Sequence, residues 1–336
     1  MAEQALRIRK SYGYAQLEAV AWEMRNDPDM VYYYEYQVPI SALPTGEILD
    51  LANEFGPDRT SGSGWPIDEQ WIVGAAIGAA TAGSKAIARL PSMAQIYAVE
   101  YVFNQAGKIR AMTGGQANMP FVLWIDGSSR GRGSAGQHTD VGAEAIYANL
   151  PGLKVVCPSN SYDAKGLLHT AIRDPDPVVY MDYPEVRSGQ QPDVPDDPYE
   201  ITLGQAAIRQ EGTDLTIVAW APATVDVRRA LPEIANAGIS AEFIDPRSLK
   251  PLDVETLARS VEKTGRLLVV DHGHYTNGFG SHVIAEVAQA VPGARYAKIA
   301  FPDVPGPGSG TMMEWLRPDA PKIVDAAKQL VRAQSA

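Results

Sequence analysis

The sequence predicts an α/β protein of two domains. Its 336 residues exceed one ordinary core and suit two of roughly 100–200 residues each. Helical periodicity alternates with short β-branched runs along most of the chain. A Pro- and Asp-rich break, QQPDVPDDP (Gln190–Pro198), separates one alternating set from another with turn formers and no periodicity. We place the domain boundary there, with residues 1–195 in the first domain and 196–336 in the second.

The first set reads as a helix from Tyr12 to Arg25, a strand from Met30 to Tyr34 and a helix from Asp68 to Ala82. Strands follow at Phe121 to Ile125, Leu153 to Cys157 and Val178 to Met181. Between the last two, Ser161 to Arg173 carries Leu167, Leu168 and Ile172 at helical spacing. That makes a strand–helix–strand crossover and predicts a parallel sheet. After the break come Leu215 to Trp220, a helix from Val225 to Ala237, Ala241 to Ile244, a helix from Val254, Arg266 to Val270 and a helix from Ser281. Val304 to Gly310, VPGPGSG, is too short for a linker and reads as an ordered loop.

Composition bounds the function. With 40 acidic against 29 basic residues the formal net charge is -11, which repels nucleic acid and anionic lipid. No apolar run approaches the roughly 18–20 residues of a membrane span, and the start MAEQALRIRKSYGYAQ has no apolar stretch behind its basic residues. We therefore expect neither signal peptide nor anchor, and a cytoplasmic address. Cys157 is the only cysteine, so internal disulfides and multi-cysteine metal cages are excluded. His272, His274 and His282 cluster in sequence, but we read them as surface variation rather than a metal site. The GFG run Gly278–Gly280 reads as a helix-start turn, since the full dinucleotide fingerprint is missing.

Eight motifs stand in a fixed order: PIDEQWIVGAAIGAATAG (Pro66–Gly83), MTGGQANMPFVL (Met112–Leu123), GQHTD (Gly136–Asp140), PGLKVVCPSNSYDAKGLLHTAIRDPDPVVY (Pro151–Tyr180), EGTDLTIVAW (Glu211–Trp220), FIDPRSLKPLD (Phe243–Asp253), VEKTGRLLVVDHG (Val261–Gly273) and DVPGP (Asp303–Pro307). Together they resemble, nearly end to end, the β subunits of thiamin-diphosphate (ThDP) dependent 2-oxoacid dehydrogenase E1 enzymes of the pyruvate, branched-chain and acetoin dehydrogenase group. The resemblance implies a ThDP-binding pyrimidine domain with a doubly wound parallel sheet, followed by a transketolase C-terminal-like α/β domain. It also implies a missing half. In this family the diphosphate and its Mg²⁺ are held by a GDG…N motif on an α subunit, and this sequence has no GDG. An α₂β₂ heterotetramer with ThDP at each α/β interface is the arrangement implied.

ThDP needs a carboxylic group at N1′ of its aminopyrimidine, and in P-I-x-E of the family this group falls on Glu69. A carboxyl against apolar surface and a cofactor ring shares a proton near neutrality. Without the resemblance, Glu69 also reads as a helix-start acid beside Asp68 that complements the helix dipole. His138, after the Gly-rich run Gly131–Gly136, matches a family histidine implied to hold the substrate carboxylate or donate a proton to the covalent intermediate. The plain alternative is a solvated loop histidine. The motif's serine is Thr139 here. AIRDPDP matches a family loop that binds a monovalent cation such as K⁺, here at Ala171, Asp174 and Asp176. An ordinary Asp/Pro turn explains it equally well.

The chain departs from relatives at two places. The acidic pair after the first strand becomes Glu35-Tyr36-Gln37-Val38, and an aromatic segment becomes Arg89-Leu90-Pro91-Ser92-Met93-Ala94-Gln95, with Glu100-Tyr101 at the family's D-Q. In relatives the aromatic segment lines the aminopyrimidine and the substrate pocket, which implies cofactor contacts at Leu90, Met93, Gln95 and Tyr97 and a pocket of altered polarity. The extra aromatics Tyr32, Tyr33, Tyr34, Tyr36, Trp65 and Trp71 read first as core or interface packing. The expected reaction is decarboxylation of a 2-oxoacid and transfer of the acyl fragment to a lipoyl E2 partner or another acceptor. Its rivals are cleavage or ligation of a carbon–carbon bond in a 1,2-diketone, acyloin or cyclic analogue, and a non-catalytic scaffold subunit.

Overall fold

A computed structural model describes residues 10–34, 39–61, 66–91, 96–127, 142–188 and 191–332. In chain order the helices are α1 (Tyr12–Asn26), α2 (Leu51–Phe55), α3 (Glu69–Thr81), α4 (Ile109–Met112), α5 (Glu144–Asn149), α6 (Ser161–Arg173), α7 (Ala223–Asn236), α8 (Val254–Thr264), α9 (Phe279–Ala290), α10 (Gly310–Leu316) and α11 (Ala320–Arg332). The strands are β1 (Val31–Tyr34), β2 (Ile40–Ala42), β3 (Ile48–Asp50), β4 (Ala86–Pro91), β5 (Phe121–Asp126), β6 (Lys154–Val156), β7 (Val178–Asp182), β8 (Ala207–Gln210), β9 (Leu215–Ala219), β10 (Ala241–Asp245), β11 (Ser248–Lys250), β12 (Arg266–His274) and β13 (Arg295–Phe301). A π-helix spans Tyr101–Ala106. Two compact units form, one from Met1–Ile125, Asn160–Tyr180 and Arg187–Thr202, the other from Asp126–Ser159, Met181–Val186 and Leu203–Ala336.

In the first unit β1, β4, β5 and β7 lie side by side in that order. β1 and β4 run parallel with Val31 opposite Ala86. α1 starts where Ser11 Oγ accepts from Tyr14 N at 3.1 Å, and α6 where Asn160 Oδ1 accepts from Asp163 N at 2.9 Å. Each such cap satisfies an otherwise orphaned amide and contributes about 1 kcal/mol. The two helices pack on each other and share buried polar contacts. Glu23 accepts from His169 Nδ1 and from Arg173 Nε, both at 2.7 Å, and Gln16 donates to the Tyr180 hydroxyl at 3.1 Å. These pairings offset the desolvation of groups that would otherwise be costly to bury.

The segment after residue 190 is held to the same two helices. Gln191 Oε1 accepts from Ser161 N at 2.8 Å, and Lys165 Nζ donates to the carbonyls of Pro195 and Asp196 at 2.6 and 2.9 Å while pairing with Glu18. Tyr199 and Ile201 press so closely on α6 that a Cβ at Gly166 would stand 2.7 Å from both side chains. Glycine is required there by space.

The second unit holds a five-stranded sheet in the order β13-β12-β9-β10-β8. Its first four strands pair in parallel and β8 closes the edge antiparallel to β10. Ile217, Phe243 and Val270 of that sheet form one core with Val227 and Ile234 of α7 and Ile323, Val324 and Ala327 of α11. β6 and β11 pair antiparallel, Ser248 opposite Val156. No described helix is long and apolar enough to cross a membrane.

Candidate functional site

Glu69 opens α3. Asp68 caps the helix, its Oδ1 accepting from Trp71 N at 2.9 Å, so the backbone turn that aims Glu69 is fixed by its neighbour. Ile72, Val73, Ala76 and Ile77 bury the inner face, as their spacing predicts. Glu69 itself is half-buried. The first turn of α3 is tied to the turn before the π-helix, because Gln70 Nε2 donates to the Tyr97 carbonyl at 3.2 Å. The π-helix also packs on α3, with Tyr101 lying 3.5 Å from where a Cβ at Gly74 would project. Single π-turns recur beside functional sites because the extra residue re-aims the chain.

The surroundings of Glu69 expose apolar side chains. Ile67 is 69% exposed, Trp71 45%, Ile96 53% and Tyr97 52%. Ile67 and Trp71 flank Glu69 in sequence and Ile96 and Tyr97 belong to the turn that Gln70 holds, so four large apolar groups are exposed near the head of α3, a surface that a partner or ligand would cover. Leu90 lies on β4 and is fully buried, so in the chain alone its side chain belongs to the core. His138, Met93 and Gln95, and with them Tyr36 and Trp65, lie outside the described residues.

Beside Leu90, Arg89 points into a cluster of rings. Its guanidinium carbon lies 4.2 Å from the Trp124 ring centre and 5.0 Å from that of Tyr34, and Nη1 donates to the Tyr32 hydroxyl at 3.3 Å. Trp124 in turn packs on Tyr180 at 5.1 Å. Stacking on aromatic faces is the way a guanidinium is held inside a protein. Tyr32 and Trp124 are thus core packing, as the sequence favours for such aromatics.

Ala171, Asp174 and Asp176 come together at the end of α6. Ala171 is buried in the helix, and Asp174, its C-cap residue, accepts from Asp176 N through Oδ1 at 2.9 Å. Arg110 stands 3.3 Å from Asp176 Oδ1, and the Pro175 carbonyl accepts from Met119 N at 2.8 Å. Among the described residues no group of three or more His, Cys, Asp or Glu side chains is arranged to hold a metal.

Residues 42–182 match the transketolase pyrimidine binding domain family, and residues 204–323 match the transketolase C-terminal domain family. The chain is 39% identical over 271 residues to the acetoin:2,6-dichlorophenolindophenol oxidoreductase subunit beta of Cupriavidus necator, covering 80% of this chain and 79% of that one. It is 33% identical over 322 residues to the pyruvate dehydrogenase E1 component subunit beta of Bacillus subtilis, covering 94% and 96%. The chain belongs to the transketolase-like E1 β-subunit family. A solved split-gene transketolase, described as an inactive beta4 tetramer, shares the fold at a TM-score of 0.78 and 22% identity over 96% of this chain and 98% of that one.

This β subunit also carries buried acids that sequence reasoning missed. In its second unit Glu144 is buried and accepts from the Tyr183 hydroxyl at 2.6 Å and from Trp220 Nε1 at 3.1 Å. Asp271 is buried too, its carboxylate accepting from Gly273 N at 2.6 Å and Gly280 N at 2.8 Å. Burial, with the nearby Glu144 charge adding to it, pushes the Asp271 pKa up to about 6 against the two amide donors. Burial likewise pushes the Tyr183 hydroxyl and the Cys157 thiol well above their ordinary values. No sequence signal marks Glu144, whose partners lie 39 and 76 residues away.

The histidine cluster needs a correction. His272 is not a surface residue: it is buried, with Nε2 3.2 Å from the Pro318 carbonyl and 3.4 Å from Asp226. Burial opposes ionisation of Asp226, yet the hydrogen bond from His272 and the Arg317 guanidinium hold its pKa below the usual carboxylate range. His274 packs edge-on against Phe301, and only His282 is exposed.

Proposed function

We propose that this β subunit supplies Glu69 and His138 to a ThDP-dependent enzyme whose other half is an α subunit bearing GDG…N. The observation that carries the reading is Glu69 at the capped head of α3, half-buried amid exposed Ile67, Trp71, Ile96 and Tyr97. A carboxyl in that setting fits a flat, partly apolar ring such as the aminopyrimidine: one polar group faces N1′ and the aromatic side chains offer it a surface. ThDP, when bound, supplies a nucleophilic carbon at its thiazolium. Glu69 holds or gives up the proton at N1′, a task served by a carboxyl shielded from water. His138 orients the substrate carboxylate or moves a proton on the substrate side. Leu90, Met93, Gln95 and Tyr97 border the cofactor in the same reading, and Mg²⁺ belongs with the α subunit.

The substrate class proposed is a 2-oxoacid, decarboxylated with transfer of the acyl fragment to a lipoyl or other acceptor, in an α₂β₂ assembly. An acyloin or 1,2-diketone is the second reading, and the 39% identity to a subunit named for acetoin favours it. The test is the complex reconstituted with its α subunit. Glu69→Ala and Glu69→Gln should each cut turnover by more than about 100-fold while the assembly remains intact. Unchanged turnover would refute the catalytic role. Turnover of neutral diketones with no response to 2-oxoacids would decide for the second substrate class.

A further inference from the structure

We propose that a cleft between α5 and the head of α9 binds a nucleobase, an uncharged planar ring whose edge carries a hydrogen-bond donor beside an acceptor. The cleft encloses about 650 Å³, inside the span of about 300–1,000 Å³ typical of small-molecule sites. All of its described lining belongs to the second unit.

The place of the cleft in the sheet is one reason. β9 leads through α7 to β10 on one side, while β12 lies parallel on its other side, so the strand order reverses between β9 and β12. Open α/β sheets take ligands beyond the carboxyl ends of their strands at such a point. β12 runs directly into residues 275–278 and α9. Trp220, the residue after β9, donates through Nε1 to Glu144 at the start of α5. Both walls of the cleft therefore stand at the carboxyl ends of those two strands.

The chemistry of the lining is the other reason. Its described residues include no aspartate, glutamate, lysine or arginine. A site without a fixed charge disfavours an ionised group, whose desolvation it does not offset. It does carry two carboxamides, Asn149 from one wall and Asn277 from the other, and neither side chain makes a hydrogen bond within the described chain. Each offers a donor beside an acceptor, the pattern that pairs with a base edge such as adenine N6 and N7. Ser281 Oγ accepts from Lys298 Nζ, which leaves its own proton to donate to a ring nitrogen. Ile146, Leu150 and Phe279 supply apolar surface. The His282 ring, 52% exposed and 5.3 Å from the Phe279 ring centre, gives a face for stacking.

Both walls are braced by the fold itself. Lys250 Nζ donates to the carbonyls of Ala148 and Leu150 at 3.0 and 2.6 Å, on either side of Asn149. Thr276 N and Oγ1 donate to Asp303 at 2.8 and 2.7 Å, immediately before Asn277. Walls fixed in this way lower the ordering cost of binding.

Isothermal titration of the full chain with adenosine, and in a second arm with AMP, tests the proposal. Saturable binding of one ligand per chain is expected, with ribose giving none, and the tighter arm identifies nucleoside or nucleotide as the form bound. Asn149→Ala and Asn277→Gly should each weaken binding at least about 5-fold, the loss of one paired base edge. Both positions are exposed, and glycine keeps the left-handed backbone of Asn277 (φ 56). Glu69→Ala should bind as the wild type does, and ThDP should not displace adenosine, whatever the role of Glu69, which separates this result from the cofactor reading. No saturable binding in either arm, equal affinity in the wild type and either Asn variant, or displacement by ThDP would overturn the proposal. So would toluene binding as tightly as adenosine, which would leave an apolar groove without base recognition.

Discussion

The Gln70 side chain donates to the Tyr97 carbonyl across 3.2 Å, which ties the turn before the π-helix to the head of α3. Glu69 sits at that head. A neutral hydrogen bond of this kind contributes about 0.5–1.5 kcal/mol, which corresponds to roughly 2- to 10-fold in an affinity it supports. Gln70→Ala should therefore weaken ThDP binding by about that factor in the reconstituted complex, with kcat at saturating cofactor little changed. A titration of activity against ThDP reads the effect.

Trp71 follows two residues after Glu69 and is 45% exposed. A charge there would be buried without a partner in any interface that covers this surface. Trp71→Asp should abolish co-elution with the α subunit in size-exclusion chromatography and leave the circular dichroism of the β subunit unchanged. Co-elution at wild-type stoichiometry would place the interface elsewhere.

Asp271 carries a pH signature. Its pKa rises from the ordinary 3.8 to about 6 in the fold, so the folded chain binds that proton more tightly than the unfolded chain does. The group then favours folding below pH 3.8, and this advantage is lost as pH climbs to about 6. The full difference is about 3 kcal/mol. Asp271→Asn removes the titration and adds a pH-independent cost, because an amide cannot accept from both Gly273 N and Gly280 N as the carboxylate does. Urea unfolding from pH 4 to 7 should show the wild type losing about 2–3 kcal/mol relative to the variant. Parallel pH profiles would show that Asp271 does not titrate in this range.

Gly166 gives a packing test. A methyl group there meets Ile201 and Tyr199 at 2.7 Å or little more, and overpacking of this kind costs about 1–3 kcal/mol. Gly166→Ala should lower the urea midpoint without changing the slope. A variant as stable as the wild type would mean that the segment bearing Tyr199 and Ile201 yields freely.

Much of this was legible in the sequence, for reasons particular residues make clear. Ser11, Asp68 and Asn160 are cap residues standing before apolar spacing, and the three helices they start appear where that pattern puts them. Glu69 was legible as a position because its motif and its helix coincide. β4 was not predicted, and Arg89, expected to change the polarity of the pocket, is instead buried against the Trp124 and Tyr34 rings, a setting only the fold assembles. The π-helix has no period of its own in YVFNQA, and its conformation comes from packing on α3. His272 gave the appearance of a surface histidine because Asp226 and Pro318, its partners, lie 46 residues away on either side. Burial of Glu144 and Asp271 depends in the same way on groups brought together only by the fold.

The clasp of α1 and α6 by residues 191–201 has a consequence for synthesis. The first unit begins at the N-terminus, yet 34 residues of the second unit, Asp126–Ser159, are threaded through its sequence, and Lys165 finds the Pro195 and Asp196 carbonyls only after those residues exist. A chain leaving the ribosome N-terminus first therefore carries the first unit unfinished until Ile201 emerges. The half that is made first is completed by its last stitch, and a pause in translation before that codon would hold the exposed faces of α1 and α6 open to chaperones.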